Sequence, residues 1–359
     1  MQLEHLWLTD FRSYASVDLE LPSGLTAFLG PNGQGKSNLL EAVAYLATLE
    51  SFRGAPAEAL VRRGAQTAVV RGEVRSADRA QLIETEINLV GRNRVLVNRQ
   101  RLQRTRDLLD ALRVTVFAPD DLELLKGGPQ VRRSYLDRAL VLERPAADSV
   151  RSDFEKALRQ RNALLKQCKG RLDEAATLTL EVWDEKLAQA GEELTRLRVD
   201  LAARLGPVVT QAYQDVAGAA VPVSLDYVSD WRDLGLAAAL HESRPNDVRR
   251  GTTLVGPHRD DLQILLDEMP SRTHSSQGEQ RSLALGLRLG VHRLVTERTG
   301  VPPVLLLDDV FSELDPTRSA ALLAALPAGQ TLLSAATGLP PGAAADLVLY
   351  VSAGTVTPA

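Results

Sequence analysis

Eight consecutive residues have the types and order needed to hold a polyphosphate: Gly30-Pro31-Asn32-Gly33-Gln34-Gly35-Lys36-Ser37. A loop bent through glycines turns successive backbone N–H groups toward one point, and a helix starting behind it adds partial positive charge there. In such a P-loop, Lys36 reaches the β- and γ-phosphates and the Ser37 hydroxyl takes one position on a magnesium ion. A second group lies far along the chain, where the apolar run Val304-Leu305-Leu306-Leu307 ends in Asp308-Asp309. A carboxylate at the C-terminal end of a buried strand is placed to hold the same magnesium, which gives that role to Asp308. Asp309 then faces the γ-phosphate and can orient or deprotonate the attacking water. Without the P-loop, two aspartates after a strand would read as helix caps.

These residues need rigid elements to carry them. The apolar run Leu25 to Leu29 precedes the P-loop and Asn38-Leu39-Leu40-Glu41-Ala42-Val43-Ala44-Tyr45-Leu46 follows it, so the order is strand, glycine loop, helix. Before them, Leu3 to Leu8 alternates as a half-buried strand and Phe11-Arg12-Ser13-Tyr14 turns the chain. Ala68 to Val74, Leu82 to Val90 and Arg94 to Asn98 read as antiparallel strands with a hairpin turn at Gly91-Arg92-Asn93. Arg92, Arg94, Arg99, Arg101, Arg104 and Arg106 crowd that hairpin, as a solvated face or as a phosphate-contacting surface. Val114 to Phe117 is a further short strand ending at Pro119-Asp120-Asp121, and Gly127-Gly128-Pro129 opens a helix with Arg132 and Arg133.

From Phe154 the apolar spacing alternates three and four, through Leu165 and Cys168 and again from Leu180 to Leu201. Gly170 marks a turn, so two helices can fold back as a short antiparallel coiled coil that stops before Pro207, or as two amphipathic helices of a bundle. Val221 to Val228 reads as a strand and Asp233 to His241 as a short helix. Arg272 to Arg281 starts a long helix, with Ser276 and Gly278 at its head; by themselves they are an N-cap.

Composition bounds the partners. With 359 residues the chain can bury a large core and divide into subdomains, here 1–120, 121–245 and 246–359. The N-terminus carries no basic-then-apolar leader and no run of eighteen apolar residues occurs, so a soluble protein that is not exported is expected. Cys168 is the single cysteine, which excludes an internal disulfide and suits a reducing cytoplasm. A formal charge of −4 argues against coating nucleic acid by bulk positive charge; any such contact must be local.

The order of P-loop, long insertion, Ser276-Gln277-Gly278-Glu279-Gln280, Asp308-Asp309 and Glu313-Leu314-Asp315 resembles the ABC-type ATPase head of transporters and SMC-type DNA proteins. Within that class, Phe11 to Tyr14, Asn38 to Ala42, Ser51-Phe52-Arg53, Pro119 to Leu122, Arg132-Arg133 and Gly256-Pro257-His258-Arg259-Asp260-Asp261 resemble the RecF family of bacterial recombination mediators over nearly the whole chain. The resemblance implies an α/β fold: an ABC-type P-loop ATPase head with an antiparallel β subdomain and an inserted helical lobe. It implies slow, DNA-stimulated ATP hydrolysis with Mg2+, and ATP held between two copies of the chain. The P-loop of one copy would then face Ser276 and Gly278 of the other, with Asp315 near that interface and Phe11 or Arg12 by the base and α-phosphate. The implied partners are DNA, both duplex and single/double-strand junctions, then RecR, with RecO and RecA downstream, and no membrane.

The sequence departs from the ABC pattern twice. The strand after the aspartates runs Thr331-Leu332-Leu333-Ser334-Ala335-Ala336-Thr337 and has no histidine, so Ser334 or Thr337 would make the γ-phosphate contact if one exists. No Q-loop glutamine is evident, and Asp120 or Asp121 stands in its place. The competing function is the ATP-hydrolysing subunit of a transporter, against which the long stretch from Lys36 to Asp308 speaks. A small-molecule kinase would leave the Ser276 loop without a role.

Overall fold

The computed structural model describes residues 1–76, 79–336 and 338–359, with the backbone alone at Thr105. The chain opens with the antiparallel pair β1 (Gln2–Phe11) and β2 (Tyr14–Glu20), then β3 (Leu25–Leu29), the P-loop and α1 (Lys36–Thr48). β4 (Thr67–Ser76), β5 (Arg79–Asn88), β6 (Arg94–Val97) and β7 (Gln100–Arg101) extend β1 and β2 into a six-stranded sheet ordered β2-β1-β4-β5-β6-β7. The expected hairpin turn lies between β5 and β6, where Gly91 has a φ of 100° and Asn93 Oδ1 accepts from Asn88 N at 3.0 Å. α2 (Leu108–Ala111) and β8 (Val114–Phe117) follow.

The middle of the chain contains α3 (Glu123–Lys126), α4 (Pro129–Glu143), α5 (Ala147–Gln167), α6 (Glu174–Ala217), β9 (Val223–Val228), α7 (Leu236–Arg250), β10 (Asp261–Leu266), β11 (Met269–Pro270) and α8 (Ser271–His274). The last part is α9 (Gln277–Thr299), β12 (Val304–Asp308), α10 (Pro316–Ala325), β13 (Thr331–Ala335), β14 (Leu347–Ser352) and β15 (Thr355–Pro358). Two compact units result: Met1–Leu122, Gln211–Ala220 and Gln277–Ala359 form unit 1, and Glu123–Thr210 with Val221–Ser276 form unit 2. These boundaries differ from the expected segments, because 246–276 belongs to unit 2. The cause is strand pairing: β10 runs antiparallel to β9, with Asp261 opposite Val228 and Leu266 opposite Val223.

In unit 1 a second six-stranded sheet, ordered β15-β14-β3-β13-β12-β8, holds the chemistry. β14, β3, β13, β12 and β8 run parallel, and the near-continuous apolar sequences of the central strands β3, β13 and β12 fit burial on both faces. α1 is buried from Leu39 to Ala47, and one core joins it to Leu306 and Leu332 of the parallel sheet and to Leu3, Leu6, Val70 and Val74 of the antiparallel one. Leu305, Leu307 and Leu333, which alternate to the opposite face, pack with Leu285 and Leu289 of α9 and Leu322 of α10.

In unit 2, α5 and α6 do pair antiparallel: Phe154 lies by Gly191, Arg161 by Asp184 and Leu165 by Leu180. A third helix joins them, since α7 brings Leu236 to Gly191, Arg244 to Asp184 and Val248 to Leu165 and Leu180. The expected antiparallel helix pair is thus present, and α7 packs along it as a third helix. Arg161 sits fully buried at their centre, held by Asp184 and Asp247 at 2.6 and 2.7 Å. Two helix ends also differ from the expected ones: α6 runs on through Pro207, and α7 extends past His241 and Pro245 to Arg250. An internal proline costs about 3 kcal/mol. Around Pro207 the buried side chains Leu201, Leu205 and Val209 offset that loss. The helix expected from Arg272 is split, with Ser275 extended between α8 and α9.

Candidate nucleotide site

The parallel register builds the site. Asp308 of β12 pairs with Ser334 of β13, and Ser334 pairs with Phe28 of β3, so the strands end at one level where the P-loop leaves β3. Gly30, Gly33 and Gly35 take φ values of 144°, 79° and 116°, which side chains disfavour. Gly35 caps α1 without a side-chain hydrogen bond, leaving the first N–H groups of the helix for a ligand. Pro31, Asn32 and Gly33 are exposed, whereas Lys36 is buried and folded back, its Nζ donating to the carbonyls of Gly30 (2.6 Å) and Pro31 (2.9 Å). Burial pulls the Lys36 ammonium below its ordinary pKa, against the opposing charges of Asp309 and Asp308.

Ser37 Oγ donates to Asp308 Oδ1 at 2.7 Å, and Ser334 Oγ donates to the same oxygen at 2.7 Å. The Ser334 hydroxyl in turn accepts from Asp309 N at 3.0 Å, and Asp309 adopts a left-handed φ of 51°. Ser334 is fully buried, and its hydroxyl joins the two aspartates by these two bonds. The other candidate, Thr337, lies outside the described residues. Asp309 Oδ1 is buried with no hydrogen-bond partner, so one carboxylate oxygen is left for a water or phosphate-side group.

Among the described residues no cluster of three or more His, Cys, Asp or Glu side chains could hold a metal. The hydroxyl of Ser37 and the carboxylate of Asp308 nevertheless fit magnesium, which takes one or two protein oxygens and completes its shell with phosphate and water.

The remaining candidates have other duties. Arg12 is locked to buried Glu41 by two bonds of 2.8 and 2.7 Å and to the Ala59 carbonyl, while Phe11 is fully buried in the core and so is closed to a base. Asn38 donates to Ser13 Oγ at 3.0 Å, and Gln34 Oε1 accepts from Ala353 N at 2.8 Å. Asp121 is buried and bound by Arg288 Nη2 at 2.6 Å and Nε at 3.0 Å, so it is not a free Q-loop substitute; Asp120 is exposed. Ser276 is exposed one residue ahead of α9. Gly278 and Asp315 meet through Arg318: a Cβ on Gly278 would come within 2.3 Å of its Nη1, and Asp315 Oδ1 caps α10 by accepting from Arg318 N at 2.9 Å.

Family comparison agrees with this geometry. The model described as RecF/RecN/SMC N terminal domain matches residues 2–332. The chain belongs to the RecF family. A relative from Streptomyces avermitilis, named DNA replication and repair protein RecF, is 46% identical over 374 residues and the match covers 99% of each chain. The namesake from Acidothermus cellulolyticus is 44% identical over 345 residues, covering 93% of each. A solved structure of the recombination mediator protein RecF with ATP, in the RecFOR pathway, superposes with a TM-score of 0.91 at 32% identity, covering 99% of this chain and 97% of that one. An SMC head domain from Pyrococcus furiosus reaches a TM-score of 0.57 at 17% identity and shares the ABC-type ATPase fold alone. These RecF relatives are named DNA replication and repair proteins, and the transporter alternative is not kept.

Sequence reasoning missed Tyr14, whose Oη donates to the Gly35 carbonyl at 2.9 Å, and Glu41, the acceptor for Arg12 and Ser51. A single acid set inside the buried run Leu39 to Ala47 of α1 was the one signal available for the second.

Proposed function

We propose that this RecF-family chain is a slow ATPase, stimulated by DNA, whose ATP-bound homodimer binds duplex DNA and single/double-strand junctions during recombinational repair and replication restart. The observation that carries it is the convergence of Ser37, Asp308 and Asp309 behind an uncapped α1, in a chain whose relatives include a RecF solved with ATP. Backbone N–H groups from Gly33 to Ser37 bind the phosphates, and Lys36 leaves its loop carbonyls to reach the β,γ side. Ser37 and Asp308 would hold Mg2+, which when bound neutralises phosphate charge. Asp309 orients the attacking water and accepts its proton as the oxygen bonds to the γ-phosphorus and the β,γ-bridging bond breaks.

Ser276 and Gly278 at the head of α9 would cap the γ-phosphate held by a second copy, with Asp315 beside that joint. RecR is the direct protein partner in this proposal, with RecO and RecA downstream, as the RecFOR description of the solved relative supports. No described helix is long and apolar enough to cross a membrane, and we place the protein in the cytoplasm. Sedimentation with and without ATP and DNA tests the proposal: ATP should convert monomer to dimer, and DNA should co-sediment only with the dimer. Monomer in every condition would sink it.

A further inference from the structure

The P-loop is fastened to the last strands of the chain. Gly30 packs against β14 so closely that a Cβ there would lie 2.3 Å from the Val351 carbonyl oxygen. Four residues on, the Gln34 side-chain carbonyl accepts from Ala353 N at 2.8 Å. Ala353 and Gly354 form the turn between β14 and β15 with left-handed φ values of 47° and 76°. That turn is backed by the β1–β2 turn, because a Cβ on Gly354 would lie 2.4 Å from the Ser13 carbonyl oxygen. Ser13 and Tyr14 in turn close on Gly35, whose Cβ would meet both hydroxyls at 2.8 Å. The loop is thus pinned at Gly30, Gln34 and Gly35, and the exposed Pro31, Asn32 and Gly33 span the interval between pins.

A loop in this state holds Lys36 on its own carbonyls, and a phosphate must draw the ammonium away without collapsing the cradle. Fixing the loop ends beforehand lowers the ordering cost that binding would otherwise carry. We propose that the Ala353-Gly354 turn is a latch that holds the P-loop in its phosphate-receiving shape, with Gln34 as a positioning residue for ATP binding and its side chain not a nucleotide ligand. This rests on the ATP-binding function proposed above. The side chain of Gln34 joins two segments 319 residues apart, so the final hairpin of the chain sets affinity at its first motif.

Two variants test the latch. Gln34→Met keeps the length of the side chain and removes the acceptor; Gly354→Ala crowds the turn against Ser13. Each should weaken ATP binding about three- to tenfold, the scale of one lost hydrogen bond, and in Gly354→Ala, which lies outside the phosphate-binding loop, the hydrolysis rate at saturating ATP should stay near wild type. The double variant should bind no worse than the weaker single one, since both break one coupling. By linkage, ATP should slow amide exchange of Ala353 in the wild type and not in Gln34→Met. Additive losses, wild-type affinity in Gln34→Met, or a fall in saturated rate at unchanged affinity in Gly354→Ala would each overturn the latch. If Gly354→Ala does not fold, Gln34→Met and the exchange measurement decide alone. Wild-type protein and Lys36→Met run alongside: a wild type without ATP affinity refutes the nucleotide site itself, whereas a competent wild type beside an unaffected Gln34→Met refutes only the latch.

Discussion

Ser37 and Asp308 are 271 residues apart in sequence, and their side chains meet at 2.7 Å. The hydroxyl comes from the first turn of α1 and the carboxylate from the end of β12, elements joined by one core through Leu40 and Leu306. Ser334 completes the group from the neighbouring strand, so the aspartate is oriented before any ligand arrives.

Lys36→Met and Asp309→Asn should separate binding from hydrolysis. Removing the Lys36 charge should weaken ATP binding by about ten- to a hundredfold, the worth of one or two charge-assisted contacts. Asp309→Asn should bind ATP near wild-type strength and lose hydrolysis by about a hundredfold or more. Equilibrium binding and single-turnover hydrolysis check the pair, and equal loss of affinity in both variants would contradict the roles assigned.

The arginines of the β5–β7 region supply the second test. Arg92, Arg94 and Arg101 are exposed, although Arg94 stands opposite Glu86 in the strand register, which tempers the local charge. If they contact phosphates, replacing all three with alanine should reduce the salt dependence of DNA binding by about one log unit of slope per lost contact. An unchanged slope in a salt titration by fluorescence anisotropy would make the cluster a solvated face.

Ser276→Arg tests the composite site. Ser276 is exposed at the head of α9, and Gly278 already packs against the Arg318 guanidinium, so a second bulky cation there obstructs close approach of another copy. ATP affinity of dilute monomer should stay near wild type, while ATP-induced dimerisation, hydrolysis and ATP-dependent DNA binding fall together. A variant that still dimerises with ATP would reduce the loop to a helix cap.

Acid stability follows from two histidines, one in each unit: His292, which is buried, and His258, which is half-buried. Burial lowers His292 to about 4, helped by the charge of Arg293, and both its ring nitrogens lack partners. Burial likewise lowers His258 to about 4, opposed by its bond to the Thr253 carbonyl and helped by Arg259 and Arg133. The unfolded chain protonates these rings near pH 6.5 and the folded chain does not. The contribution of each ring is therefore intact above pH 6.5 and lost as pH falls toward 4, by about 1.4 kcal/mol per pH unit per ring. Melting temperatures across this window check the slope, and His292→Leu should flatten it for unit 1 alone.

The P-loop, the buried β12 with its two aspartates, and the hairpin at Gly91 were legible in the amino-acid sequence because each is local. Glycines permit a φ of 144° or 79° wherever they stand, an unbroken apolar run means a strand buried on both faces, and a turn needs only its own residues. What each side chain would do there was not local. The register of β13 sets Ser334 beside Asp308, and Asp121 looked free until α9 brought Arg288 to it. Gln34 has the same neighbours in sequence whether it faces a nucleotide or Ala353; only the folding of the last strands against β3 decides. The helical spacing after Phe154 likewise fits two helices or three, since the seam that would bury a partner helix is the same seam that receives α7. Residue types determined which chemistry was possible, and long-range packing decided which hydrogen-bonding groups remained available to perform it, because each buried donor or acceptor must be satisfied by whatever the fold places next to it.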